Sequence, residues 1–81
     1  MNKTTEKIIG VLRDFNYSVP EDTSVDLLGA GVLDSFDMVN IIAGIEGTFN
    51  IEIAPEDITP TNFDSIDHMS NLLIRKYGAD K

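Results

Sequence analysis

The chain has no cysteine. That absence rules out a disulfide framework and a thiolate metal site, and it leaves the polypeptide without a thiol of its own. Basic residues are nearly as scarce. Lys3, Lys7, Arg13, Arg75, Lys76 and Lys81 are the whole set, and all lie near an end of the chain. The stretch from Asp14 to Ile74 has no Lys or Arg, yet it holds every carboxylate except Glu6 and Asp80. With a net charge of −8, such a body repels nucleic acid and anionic membrane and attracts proteins with basic patches. A solubility surface is the blander account of the same charge. Long apolar runs are missing too. Met1-Asn2-Lys3-Thr4-Thr5-Glu6 has no apolar signal core, and no later segment is long enough to span a bilayer. The expectation is a cytoplasmic protein with no membrane insertion.

Catalytic groups are sparse as well. His68 is the single histidine; it falls off the apolar stripe of its helix and has no paired serine nucleophile, which makes it a surface residue. Glu21, Asp22 and Asp26 invite a calcium reading, but they lack the alternating oxygen ligands, central glycine and terminal glutamate of an EF-hand loop. Neither a nucleophile–base pair nor a metal-ligand cluster can be read from the chain, so an enzyme is not expected.

What is present is enough apolar residue, 42% of 81, for one small globular domain near the size where a single core just suffices. Periodicity predicts an all-α four-helix bundle, three main helices and one short one, with a long first loop. The first helix covers about 3–16, with Ile8, Ile9, Leu12 and Phe15 on its core side, Val11 at the margin and Thr4 or Thr5 as cap. Tyr17 to Leu33 is a connection broken by Pro20, Gly29 and Gly31, and pinned to the core by Val25, Leu27, Leu28, Val32 and Leu33. The second helix runs over about 35–49. An extended Asn50-Ile51-Glu52-Ile53 leads to a short turn at about 55–60, opened by Pro55 and ended by Pro60. The last helix covers about 65–77, capped by Asp64 or Ser65, with Ile66, Met69, Leu72, Leu73 and Tyr77 inward and Gly78 as stop. A monomer is the default.

The organising stretch is Gly31-Val32-Leu33-Asp34-Ser35-Phe36-Asp37-Met38-Val39. Asp34 or Ser35 caps the second helix, and Asp37 places a further carboxylate at its positive end. Met38, Ile41, Ile42, Ile45 and Phe49 form the buried stripe. Phe36 falls on the opposite side with Ala43 and Gly47, flanked by Val39 and Asn40. Two accounts fit it equally: an aromatic contact surface, or packing under the preceding loop. Gly44 and Gly47 each cost the helix roughly 1 kcal/mol, and they permit close approach either within the fold or by a partner.

Leu27-Leu28-Gly29-Ala30-Gly31-Val32-Leu33-Asp34-Ser35-Phe36 resembles the attachment site of acyl and peptidyl carrier proteins, and the likeness extends from the first helix to Tyr77. The resemblance implies that a phosphopantetheinyl transferase moves 4′-phosphopantetheine from coenzyme A onto Ser35, with Asp34 in contact with the transferase and its metal. It also implies that Phe36 is the exposed apolar residue partners grip, on a face shared with Asp37, Val39, Asn40, Ala43 and Gly47. The arm's thiol then holds cargo as a thioester for cargo-loading and cargo-modifying enzymes with basic docking patches. Fatty-acid carriers have a dense acidic run along the second helix, and here Asn40, Gly47 and Thr48 interrupt it, leaving Asp37 and Glu46. The segment from Ala54 to Phe63 likewise looks more like stand-alone carriers of specialised pathways, so the resemblance implies an aminoacyl, peptidyl or polyketide carrier, including those that modify cell-envelope polymers. Three rivals stand beside it: an unmodified acidic adaptor binding through Phe36, Val39 and Ala43, an acid-rich metal-binding protein, and a very small enzyme.

Overall fold

Asn2 opens the first helix, α1 (Lys3–Asp14), by accepting a hydrogen bond from the Thr5 amide at 2.8 Å. The computed structural model describes residues 2–79; Met1, Asp80 and the basic Lys81 lie outside the described residues. Three more helices follow, α2 (Ser35–Phe49), α3 (Pro60–Phe63) and α4 (Ile66–Lys76), with a 3₁₀ turn at Pro55–Asp57 and no strand among the described residues. The bundle is all-α, as the periodicity requires.

Caps and edges differ from the sequence expectation in four places. Thr4 and Thr5 do not cap α1; both are buried within it, and the Thr5 hydroxyl donates to Ser70 Oγ of α4 at 3.0 Å. Val11 is fully inside, whereas Phe15 is 40% exposed. The helix ends at Asp14, so Phe15 leaves the helical register and stacks on Tyr17 at 5.9 Å between ring centroids instead. Val32 does not pin the loop, being 44% exposed beside Gly31, whose φ of 75° turns the chain outward. Pro60 starts a helix rather than ending a turn. It occupies the first position of α3, where a missing N–H costs nothing, while Thr59 accepts from the Asn62 amide at 3.3 Å.

Helix α1 runs antiparallel to α2. Lys7 lies over the Phe49 ring at 5.4 Å, Val11 faces Gly44, and the Asn40 amide donates to Tyr17 Oη at 3.1 Å. A Cβ built on Gly44 would sit 2.6 Å from Val11 Cγ1 and 3.1 Å from Phe15 Cε2. The close approach that Gly44 permits is therefore within the fold. A Cβ on Gly47 would meet nothing within 4 Å.

The long connection is tied down at α4. Leu27 is fully buried, and its amide donates to the Asp64 carbonyl at 2.6 Å. The Asp67 amide donates to the Thr23 carbonyl at 3.0 Å, and the Thr23 hydroxyl returns a bond to the Asp67 carboxylate at 2.6 Å. The loop's own acids act locally: Asp22 accepts from Ser24, and Asp26 accepts from the Gly29 amide at 2.8 Å. This anchoring delivers Leu33, also buried, to the start of α2.

Asp57 ties the 3₁₀ turn to the end of α4. Its carboxylate accepts from Lys76 Nζ at 2.7 Å and from the Tyr77 hydroxyl at 2.6 Å. The Lys76 bond, then the Tyr77 bond, hold its pKa below the usual carboxylate range. Because the folded-state pKa is the lower one, this contact adds stability above the ordinary Asp value and loses it as pH falls through the depressed one.

Candidate functional site

Asp34, not Ser35, is the cap of α2. Its carboxylate accepts from the Asp37 amide at 2.9 Å, and the Asp37 carboxylate accepts from the Asp34 amide at 3.1 Å. This reciprocal capping box fixes the first turn and makes Ser35 the first helical residue. Ser35 is exposed, and its hydroxyl finds no hydrogen-bond partner among the described residues. The amides of Ser35 and Phe36 find no acceptor there either. A phosphodiester on Ser35 would meet those donors and the positive end of a 15-residue helix. The site thus fits a phosphate-linked group in reach and in chemistry, with the Asp34 and Asp37 carboxylates close by in the chain.

Phe36 is 82% exposed and Val39 66% exposed, so packing under the preceding loop does not account for Phe36. Asn40, Ala43 and Gly47 are exposed on the same helix, while Met38, Ile41 and Ile45 are buried. Asp37 stands apart from the outer face, half-buried in the capping box. Glu46 is also turned to the chain itself: its carboxylate accepts from the Ile53 amide at 2.9 Å, next to the left-handed Asn50 that ends α2. Both acids of α2 are therefore occupied by backbone, and the outer face is uncharged.

Beside Ser35 lies an apolar cleft of about 230 Å³. Leu28, Met38, Val39 and Ile42 form one side, and Ile58, Thr59, Pro60 and Phe63 form the other. Sequence reasoning did not find Ile58, which is 45% exposed. It stands alone before Thr59-Pro60 with no helical period to mark it. The tie of Asp57 to Lys76 and Tyr77, residues far away in the chain, helps to place it opposite α2.

His68 lies at the start of α4 with its ring bonded to the Asp64 carboxylate, half exposed. Among the described residues no group of acidic or histidine side chains is arranged to hold a metal ion. No helix among the described residues is long and apolar enough to cross a membrane.

Comparison with known proteins agrees with this geometry. The family model described as the phosphopantetheine attachment site matches residues 6–73. Aminoacyl carrier protein 1 of Bradyrhizobium diazoefficiens is 29% identical over 73 residues, which cover 90% of this chain and 80% of that protein. No solved structure gives a significant match. The chain belongs to the phosphopantetheine attachment family: it is a carrier protein that works through a covalently bound 4′-phosphopantetheine, and not an enzyme.

Proposed function

We propose that Ser35 bears the arm and that the chain presents aminoacyl cargo, or a related peptidyl or polyketide intermediate, to the enzymes of a specialised pathway. The observation that carries this reading is the exposed, unpartnered Ser35 hydroxyl at the first position of α2, at the edge of an apolar cleft. The aminoacyl preference is supported by the name of the Bradyrhizobium relative and by the lack of an acidic outer face on α2. When bound, the arm supplies the thiol that the polypeptide lacks and holds cargo as a thioester. Tethering keeps that cargo at an effective concentration in the millimolar range for a short flexible link.

Each residue then has a task. Asp34 fixes the helix start and offers a carboxylate to the phosphopantetheinyl transferase and its metal. The transferase supplies the base, since no histidine or lysine adjoins Ser35 in the chain. Phe36, Val39 and Ala43, with Ile58 across the cleft, meet the apolar part of a partner's surface. Asn40 and Gly47 border that contact, and Asp37 acts through the helix start. The exposed acids of the loop and of the 3₁₀ turn steer basic patches on partners towards this end. The same reading places the protein in the cytoplasm as a monomer, within reach of coenzyme A.

The test is intact mass after incubation with coenzyme A, magnesium and a broad-specificity transferase. The wild type is expected to gain one phosphopantetheine and Ser35→Ala none. A gain that survives in Ser35→Ala moves the arm to another hydroxyl, and no gain by folded wild type overturns the reading.

A further inference from the structure

We propose that Asp57 is a positioning residue for the Ser35 site: it clasps the far wall of the cleft to the C-terminal end of α4. The inference rests on the reading that Ser35 bears the arm and that partners meet this cleft.

The wall is a stretch with little else to hold it. Between the buried Ile53 and the buried Phe63, Asp57 is the one buried residue. Pro55, Glu56, Ile58, Pro60 and Thr61 are all exposed, and a 3₁₀ turn and a single turn of helix have little stability of their own. Asp57 compensates by bonding at both ends. Its two carboxylate oxygens take Lys76 Nζ and the Tyr77 hydroxyl, at 2.7 and 2.6 Å. Its carbonyl accepts from Asn62 Nδ2 at 2.9 Å and from the Thr59 amide at 3.0 Å. Tyr77 Oη also accepts from the Ala54 amide at 2.9 Å, so the turn is held on both sides of Pro55. The residues that follow directly, Ile58, Thr59 and Pro60, line the cleft opposite Met38 and Val39. The end of α4 thereby sets how far the wall stands from Ser35.

The test uses Tyr77→Phe, which removes one hydroxyl and keeps the ring, and Asp57→Asn. A control, Ile8→Val, lowers stability by trimming a fully buried side chain of α1 that takes no part in the hydrogen bonds of the clasp. Two readouts are taken on each variant: amide hydrogen exchange of unmodified protein, and transferase kinetics at Ser35. In both clasp variants the amides of Ile58, Asn62 and Phe63 are expected to exchange about tenfold faster through local opening. The transferase KM is expected to rise several-fold with kcat held. Ile8→Val should leave the exchange of those three amides and the KM unchanged, since its lost contacts are not made or broken when the wall opens. If the control moves both readouts as the clasp variants do, Asp57 is merely structural and the proposal falls. Unchanged exchange in the clasp variants, or faster exchange with unchanged KM, overturns it equally. Failure of the wild type to load would strike the attachment reading instead, and the exchange result needs no arm.

Discussion

Gly44 and Gly47 sit three residues apart on one helix and have opposite surroundings. At Gly44 the backbone of α2 comes so close to Val11 and Phe15 that a Cβ has no room; at Gly47 there is open space. The same division runs along the whole helix. On the inner face Ile41 and Ile45 are fully buried, and on the outer face Phe36 and Val39 are among the most exposed large apolar residues. Folding explains the first set completely. It gives no reason for the second, and a residue type that folding does not require points to use by a partner.

The largest effect that tests this division is Ile41→Ala. Removing a fully buried side chain of this size should cost about 2–5 kcal/mol, a large fraction of the stability of so small a domain. Thermal unfolding followed by circular dichroism should show the midpoint fall by more than about 10 °C. Gly44→Val comes next, with an overpacking cost of about 1–3 kcal/mol, read from the same melting curve. Asp34→Ala removes the capping box and should lower stability by about 1 kcal/mol, with faster amide exchange confined to the first turn of α2. Gly47→Ala has the opposite sign, a gain of up to about 1 kcal/mol; a loss there would mean that the outer face is packed after all. Phe36→Ala should change stability least, within about 0.5 kcal/mol. Its effect belongs to the partner, with loading of Ser35 by a transferase falling about tenfold at limiting carrier. If Phe36→Ala unfolds the protein as Ile41→Ala does, the two faces are not distinct.

The helices and the division of α2 were legible because both depend on residues close in sequence. The spacing of Met38, Ile41, Ile42 and Ile45 marks the stripe, and Asp34 with Asp37 marks the cap. What stayed hidden depends on where an element stops or on residues far apart. Ending α1 at Asp14 takes Phe15 off the core stripe, and the close approach of α2 at Gly44 buries Val11. Asn2 takes the cap from Thr4 and Thr5 because the contact with Ser70 draws Thr5 inward. Asp57 reads as an ordinary turn acid until Lys76 and Tyr77 arrive from the other end of the chain. The location of Gly44 against α1 belongs to the same class, since either role for the glycine satisfies the sequence.

Glu46 turns inward to hold Ile53, and Asp37 turns back to hold Asp34, so the helix keeps its start and its exit without help from its outer row. That row is consequently a replaceable label. Phe36, Val39, Ala43 and Gly47 form a short string of positions that can be rewritten together, for a library screen or for transplanting a new enzyme's docking code, while the scaffold beneath carries on folding as before; Asn40 between them stays, because its amide holds Tyr17.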